Sequence, residues 1–337
     1  MEFRPSSSQQ MLVATTREVL RKECPPELGG SGGSLLDVIL LVEEIGRAGL
    51  PGPFVTSAVA GTTAVLAAAG GDAQRRLLPA LATGDRLVTL AVLESSGSFD
   101  VDAVALACAV PGRLTGGKLF VADAHVADEA IVAVRERGDV SLLLLPLDRP
   151  GIARLPLDTM SGEKLFELTF DGVAVSADDR LGRPGDDARG ALAAALTAGA
   201  LARTAEMVGA AQRVLELAVE HARTRVQGGR PIGGHQAIQH ACADLVRDVD
   251  AARGLLYAAA WRVTEGLSAE EDVAMAKAYA SEACLTVARR AHQIFGAIGY
   301  CEEHPLHLLH KRIHAASLDG GDVALHLETV AQAIGLT

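Results

Sequence analysis

Four histidines near the end of the chain have a spacing that fits either a metal site or one face of a helix. His304, His307, His310 and His314 recur every three or four residues, which places their rings along one side of a helix. Imidazole nitrogens bind transition metals when further ligands converge on the ion and second-shell groups orient the rings. Nothing in the surrounding sequence demands such a site, so the pattern favours a solvated or interface face.

Two glycine-rich stretches could approach phosphate groups. "GGSGGS" at 29–34 looks like a phosphate-binding loop, but no Lys-Ser/Thr pair follows it and no strand precedes it, so it predicts a flexible turn. "GGRPIGG" at 228–234 predicts turns on any interpretation. Arg225 lies just before this stretch. Without the surrounding pattern, it would be interpreted as a solvated arginine at the end of a helix.

The elements that must position these residues fall into three zones. Residues 1–85 have helical spacing and predict an N-terminal helical domain, with one apolar helix face made of Leu36, Ile39, Leu40, Val42 and Ile45. Residues 86–185 contain short β-type runs and predict an antiparallel sandwich or barrel; the runs are 86–94, 104–110, 116–123, 129–136, 140–147 and 166–175. Residues 186–337 predict about five helices in an antiparallel bundle. An all-α repeat array is disfavoured because no fixed period recurs.

Composition describes a soluble globular protein, with 49% hydrophobic and 22% charged residues. A net charge of −11 without any basic run argues against nucleic-acid binding. The start of the chain lacks a signal-peptide core, and the Ala-rich run at 189–207 is interrupted by Arg203, so it predicts a buried helix and a cytoplasmic protein. The cysteines form no CxxC pair and predict reduced, mostly packed thiols without a metal role; they are Cys24, Cys108, Cys242, Cys284 and Cys301.

The segment "RTRVQGGRPIGGHQAIQHACADL" at 223–245 resembles the acyl-CoA dehydrogenase family. In that family the corresponding segment has the pattern Arg-x-Gln-Phe-Gly-x-Pro-Ile-x-x-x-Gln-Ala-Ile, and most of it is present. Three further stretches keep the family's order and spacing; they are "EEIGRAGLPGPF", "LDTMSGEKLFELTFDGVAVSADDRLG" and "AHQIFGAIGYCEEHPLHLLHKRI". The resemblance implies a mostly α fold with a central β-domain, namely an N-terminal helical domain, an antiparallel β sandwich or barrel and a C-terminal four-helix bundle. It also implies an acyl-CoA substrate and FAD, with a carboxylate that removes the α-proton while the flavin accepts the β-hydride.

The catalytic base is the first departure from the family. By resemblance, the position of the family glutamate holds Gly320, which cannot accept a proton. A shift of one residue would make Asp319 the base, with a side chain one methylene shorter, whereas Asp322 suits an exposed or helix-capping role. The alternative base position used by some members falls at Gly199 and Ala200. Glu206 lies about two turns further along that helix.

Flavin contacts within one subunit are the second departure. The family's flavin-facing loop corresponds to 93–100, where Leu93 replaces the threonine and Ser95 the proline. The next strand normally reads Trp-Ile-Thr-Asn, with a hydroxyl near flavin N5, and here reads Phe120, Val121, Ala122 and Asp123. Both hydroxyl donors are absent, so the resemblance implies that this chain holds a flavin ring badly or not at all.

Contacts to a neighbouring subunit's FAD are largely retained. The resemblance assigns the ADP portion of that FAD to Arg225, Gln227, Gln293, Gly296 and Ala297. Arg225 would pair with the pyrophosphate, although the family phenylalanine is missing at Gly228. Gln293 could instead satisfy a buried backbone group.

This asymmetry predicts the non-catalytic subunit of a heteromeric acyl-CoA dehydrogenase, with FAD shared across the interface with a homologous catalytic partner. The short N-terminal zone, where "CPP" joins "REVLRKE" to "ELGGSGGS", is similar to the smaller subunits of heterotetramers that act on steroid side-chain CoA esters. An electron-transfer flavoprotein is the electron acceptor that the family implies. Two alternatives stay open, a self-sufficient homomer with Asp319 as base and a flavin-free structural or CoA-ester-binding protein.

Overall fold

The computed structural model of the chain describes residues 32–68, 72–108, 112–182 and 188–336. Cys24, the first half of the 29–34 glycine stretch and the predictions for the start of the chain lie outside the described residues. By mutual contacts the chain divides into two compact units. The first runs through Val38 and resumes at Gly52–Gly199, and the second contains Ile39–Pro51 and the chain from Ala200 onward.

Helices come first along the described chain. Helix α1, Leu35–Ala48, begins where Ser34 and Asp37 exchange side-chain-to-backbone hydrogen bonds. A π-helix at Phe54–Gly61 runs into α2, Thr62–Ala67, and α3 spans Asp72–Thr83. In α1 the predicted apolar face is correct for Ile39, Val42 and Ile45 but wrong for Leu40, which is exposed while Leu41 is buried.

Six strands form two three-stranded sheets in the described residues between 88 and 174. One sheet has the order β1-β3-β4, with β1 at Val88–Ala91, β3 at Glu129–Glu136 and β4 at Asp139–Pro146. The other has the order β2-β6-β5, with β2 at Arg113–Ala122, β5 at Ile152–Leu157 and β6 at Leu165–Ala174. Their inner faces share one buried apolar cluster, which includes Val132, Leu143, Leu168 and Phe170. The predicted sandwich is therefore confirmed.

Details of the β-domain differ from the prediction. Strands β1 and β3 are parallel, because the strand between them in sequence belongs to the other sheet. The predicted run at 104–110 forms only an isolated bridge in its described part, between Ala107 and Arg135. Side chains bind its backbone groups instead: Glu94 accepts from the amides of residues 105 and 106, and Arg135 donates to the carbonyl of residue 104.

Five helices follow in the described chain beyond residue 187. They are α4 at Ala188–Thr224, α5 at Gln236–Thr264, α6 at Glu270–Phe295, α7 at Leu306–Leu318 and α8 at Val323–Ala333. Helix α4 is long and apolar enough to cross a membrane, but 72% of its most apolar window is buried inside the protein. It is the core helix that the sequence predicts.

Helices α1 and α4 cross with their backbones in direct contact. A Cβ atom on Gly46 would overlap the carbonyl of Glu206, and one on Gly209 would overlap the carbonyl of Glu43. Glu43 also accepts bonds from Arg253 Nε at 2.8 Å and from the Tyr257 hydroxyl at 2.6 Å. These contacts hold the C-terminal part of α1 against the bundle.

Candidate active site and cofactor half-site

The turn between α7 and α8 lies directly on helix α4. Gly320 in this turn has φ +74°, and a Cβ atom there would lie 3.1 Å from Ala200 Cα. The two positions where the resemblance places a base in different family members, 320 and 199–200, thus meet at Ala200 in this fold. Glycine and alanine occupy these aligned positions, and neither has a titratable side chain.

Three further contacts fix the same turn. His326 Nε2 lies 2.9 Å from the Gly320 carbonyl oxygen, and a Cβ atom on Gly321 would lie 2.7 Å from that nitrogen. Asp322 caps α8 by accepting a bond from the Leu325 amide at 2.9 Å, which confirms the predicted capping role. The left-handed backbone at 320 and 321 is one that glycine adopts without strain.

Arginines hold two carboxylates near this turn, those of Asp319 and Glu206. Asp319 Oδ2 accepts from Arg203 Nε at 2.7 Å. Glu206 is buried and accepts from Arg203 Nη1 at 2.7 Å and from Arg312 Nη2 at 3.1 Å. Arg312 also donates to the carbonyls of Gly49 and Leu50. A base must leave its ion pair before it can reach a substrate carbon, so this geometry disfavours both residues as bases.

Lys277 is a fully buried cation that the sequence reasoning missed. Its Nζ donates to the carbonyls of Ala316 at 2.8 Å and Ser317 at 3.1 Å, at the last turn of α7. An ammonium group at a helix C-terminus satisfies unpaired carbonyls and complements the helix dipole. Burial lowers the pKa of Lys277 to about 8, while the charge of Asp319 acts in the opposite direction. Lys277 therefore anchors α7 just before the turn.

The loop that resembles the flavin-facing loop is held in place by Glu94 and Lys118. Glu94 accepts from Lys118 Nζ at 2.6 Å and from the amides of Ala105 and Leu106. Lys118 is fully buried and also donates to the Val92 carbonyl at 2.9 Å. Burial acts to raise the pKa of Glu94, but the hydrogen bonds from Lys118 and the two amides outweigh it, so the pKa is lowered. The carboxylate thus stays charged and fixes the loop.

The strand that follows carries no hydroxyl group at the positions that the resemblance assigns to the flavin ring. Phe120 is 53% exposed at φ +53°, Val121 is buried, and the carbonyl of Ala122 already accepts the Thr89 hydroxyl at 2.6 Å. Asp123 Oδ2 accepts the Thr56 hydroxyl at 3.2 Å. The loop is therefore well supported, while the hydroxyl donors at the Leu93 and Ala122 positions are missing.

Residues assigned to a neighbour's cofactor are exposed at one end of the bundle. Arg225 and Gln227 lie where α4 passes into a two-stranded hairpin, β7 at Val226–Gln227 and β8 at Arg230–Pro231. Gln293, Gly296 and Ala297 are exposed where α6 ends. Gln293 therefore does not satisfy a buried backbone group. Within the described chain, the side chains of Arg225, Gln227 and Gln293 make no hydrogen bond or ion pair.

Aromatic contacts join the two helix ends that carry these residues. The Phe295 ring stacks on His221 and contacts His304, in both cases with ring centroids 4.5 Å apart. His221 lies one turn before Arg225, whose amide donates to the His221 carbonyl at 2.9 Å. The four histidines of the predicted solvated or interface face are all half-buried. The described residues hold no group of three or more metal-binding side chains.

Comparison with known proteins agrees with this architecture. Residues 14–85 match the family model for the acyl-CoA dehydrogenase N-terminal domain, and residues 189–335 match that for the C-terminal domain. Acyl-CoA dehydrogenase IpdE2 of Mycobacterium tuberculosis (strain ATCC 25618 / H37Rv) is 35% identical over 87% of this chain and 76% of its own length.

Two solved structures are similar over the whole chain. A chain of the ChsE4-ChsE5 complex from Mycobacterium tuberculosis is 28% identical, with a TM-score of 0.87 over 100% of this chain and 90% of that one. An FAD-dependent dehydrogenase is 26% identical, with a TM-score of 0.87 over 100% of both chains. FAD is the cofactor of these proteins' family. This chain belongs to the acyl-CoA dehydrogenase family.

Proposed function

We propose that this chain is the non-catalytic subunit of a heteromeric, FAD-dependent acyl-CoA dehydrogenase. In this assembly a homologous subunit contributes the base and the flavin-ring pocket for α,β-desaturation of an acyl-CoA thioester. The observation that carries the proposal is the close approach of Gly320 to Ala200. Backbone atoms of Ala200 lie where a side chain at the position aligned with the family base would begin. The nearby carboxylates of Asp319 and Glu206 are committed to Arg203 and Arg312.

The ADP side of the site fits an FAD that the partner subunit holds. Arg225 offers a free guanidinium, which pairs with phosphate oxygens in a two-bond geometry. Gln293 offers an amide that can donate and accept, and the small residues Gly296 and Ala297 allow close approach of a ribose. When bound, FAD would supply the acceptor for a hydride from the substrate β-carbon. This chain's residues grip the nucleotide end.

The ring side of the site does not fit FAD in this chain. Leu93 and Ala122 stand where hydroxyl donors are needed, and Asp123 places a carboxylate beside the same strand end. A buried polar edge of a ligand without its hydrogen bond costs about 1–3 kcal/mol for each missing partner. With two donors missing, this chain would bind the flavin ring weakly. We therefore assign it the nucleotide end of FAD and assign the flavin ring to the partner subunit.

The proposed substrate and partners rest on the family and on the chain's resemblance to smaller subunits. We assign a steroid side-chain CoA ester as substrate, an electron-transfer flavoprotein as acceptor and a cytoplasmic location. Similarity to a chain of a two-protein complex supports the heteromeric part. The substrate assignment is tested with the co-purified complex: faster turnover of straight-chain acyl-CoA than of steroid thioesters would reject it.

The first experiment measures the FAD-to-protein ratio of this chain purified alone and co-expressed with a homologous catalytic dehydrogenase. We expect no FAD on the chain alone and about one FAD per pair of unlike chains. Arg225→Ala should reduce FAD retention in the pair. Arg223→Ala is the matched control, because Arg223 is also an exposed arginine at the end of α4.

Two results would contradict the proposal. A yellow protein with about one FAD per chain in the absence of a partner would show a self-sufficient enzyme, and Asp319→Asn would then test Asp319 as its base. No FAD with the catalytic partner present would indicate a structural or CoA-ester-binding protein. Equal loss of FAD in the Arg223 and Arg225 variants would remove Arg225 from the cofactor grip.

A further inference from the structure

His292 is a buried imidazole at the junction of α6 with α7. It is 4% exposed and lies between the rings of Tyr300, with centroids 4.7 Å apart, and His310 on α7, with centroids 5.0 Å apart. Within the described chain neither of its ring nitrogens has a hydrogen-bond partner of normal geometry. A neutral imidazole can pack here as an aromatic ring, whereas an imidazolium would bring a charge and two N–H donors into a site without an acceptor.

Two more histidines connect this junction to the end of α4. Phe295, one turn after His292, contacts His221 of α4 and His304 before α7, in both cases with centroids 4.5 Å apart. His304 Nδ1 accepts the backbone N–H of Leu306, the first residue of α7, at 3.2 Å. Only an unprotonated nitrogen can accept this bond, so a proton on Nδ1 would remove a hydrogen bond from the start of α7.

His221, His292, His304 and His310 together form a histidine cluster whose surroundings oppose protonation. Burial lowers the pKa of each of the four, and nearby histidines and arginines lower it further, while the Gly299 backbone alone acts in the opposite direction, on His292. The neighbours outside the cluster that lower these pKa values are Arg225 after α4, Arg289 on α6, and His307 and His314 on α7.

The carboxylates on the surrounding elements do not balance the cluster. Asp244 on α5 is paired with Arg290 of α6 at 2.7 Å. Glu302 and Glu303, in the turn before α7, are exposed to solvent. In the described part of the chain no carboxylate forms an ion pair with a histidine of the cluster. A proton taken up by one imidazole therefore meets other imidazoles and arginines, without a counter-ion.

We infer that the histidine cluster makes the joint between α4, α6 and α7 sensitive to acid: the joint is closed while the imidazoles are neutral and opens when they take up protons. The neutral rings hold the joint by stacking, and each added proton places a cation beside the remaining rings. Opening would separate the end of α4, which carries Arg225, from the end of α6, which carries Gln293. Acid should then release the partner's FAD, a consequence that rests on the proposed function.

The direction of the pH response follows from proton binding. Because the pKa of each histidine is lowered in the folded chain, the open form holds more protons than the closed form below the ordinary histidine pKa of about 6.5. Each histidine can then raise the opening equilibrium constant by up to about tenfold for every pH unit below that value. The joint should therefore be closed at neutral pH and open increasingly as the pH falls.

Hydrogen–deuterium exchange of the full chain measures this joint directly. After correction for the intrinsic pH dependence of exchange, segments 218–227 and 292–310 should open at least about tenfold more often at pH 5.5 than at pH 7.5, while the two β-sheets should not respond. The double variant His292→Phe, His310→Phe keeps the ring contacts without the titrating groups, and its response should fall below about threefold. His240→Phe, which replaces an exposed histidine on α5, should respond like the wild type.

Three results would overturn the inference: equal opening of the wild type at the two pH values, an equal response in the wild type and the double variant, or a response shared by every segment, which indicates global unfolding. His310→Phe alone, at a half-buried position, should lose part of the response and replaces the double variant if that protein does not fold.

FAD retention in the co-purified pair tests the consequence separately. The wild-type pair should lose FAD at the lower pH and the double variant should keep it, whereas equal loss from both would overturn acid release through this joint. If the wild-type pair binds no FAD at neutral pH, the proposed function fails, while exchange in the chain alone still decides whether the joint is sensitive to acid.

Discussion

Replacing Gly320 tests whether the position aligned with the family base lacks room for any side chain or only lacks a carboxyl group. The residue has φ +74°, and a Cβ atom would lie 3.1 Å from Ala200 Cα and 3.4 Å from Ala200 Cβ. A left-handed backbone costs a non-glycine residue about 1–2 kcal/mol, and forcing a contact against a helix backbone adds about 1–3 kcal/mol. Gly320→Ala should therefore destabilise the protein by on the order of 3 kcal/mol.

Gly266→Ala separates the two contributions. Gly266 has φ +66°, and a Cβ atom there would meet nothing within 4 Å, so this variant should lose only the backbone part, about 1 kcal/mol. Denaturant unfolding of both variants measures the difference. Gly320→Glu restores the acid of the family, yet we expect neither FAD binding nor turnover from that chain alone, because the flavin-ring donors are also missing. Equal stability of the two alanine variants, or acyl-CoA oxidation by Gly320→Glu without a partner, would refute this reasoning.

Two further predictions concern the bundle. Gly209→Ala should destabilise the protein by on the order of 3 kcal/mol, because its Cβ would overlap the Glu43 carbonyl; Gly254→Ala, with open space around it, should stabilise by about 0.5–1 kcal/mol in the same unfolding assay. Lys277 should make stability rise with pH between about 8, its folded pKa, and 10.5, the ordinary pKa of a lysine, because in that window the unfolded chain holds a proton that the folded chain has released. The slope is at most about 1.4 kcal/mol per pH unit, and Lys277→Met should lose it; equal slopes in the two proteins would contradict the buried cation.

Regular periodicity made most of the fold predictable from the sequence. Helix faces with a 3.6-residue repeat and alternating strands carry a local signal, and these elements form as expected. Strand β5, Ile152–Leu157, was missed because it is an edge strand that contains Pro156, and its positions are partly or fully exposed on both faces. The run at 104–110 has strand composition, but Glu94 and Arg135 bind its backbone groups from distant positions. Neither partner is visible in a local window.

The candidate site was predictable only where a motif fixes the position of a residue. Gly320 and Arg225 could be assigned because the surrounding pattern sets the alignment. The contact of Gly320 with Ala200 joins residues far apart in the chain, and no periodicity indicates it. Lys277 stands alone in an Ala-rich part of its helix, where a single polar residue has no pattern to distinguish a buried support from an exposed side chain. Its role required the packing of α7 against α6 to be known.

The arrangement around the base position argues for a rebuilt turn and not for simple loss of an acid. Removing a glutamate alone would leave a gap beside α4 and unpaired polar groups around it, and such groups cost about 1–3 kcal/mol each when buried. Here Ala200 meets Gly320, His326 binds its carbonyl, Arg203 holds Asp319 and Lys277 caps α7. At the other end of the bundle, Arg225 and Gln293 keep polar groups free in water, where they contribute nothing to the stability of this chain alone. The turn around Gly320 is thus filled by contacts within the chain, while Arg225 and Gln293 remain available to a ligand. This combination supports a subunit that holds its ligand jointly with a partner.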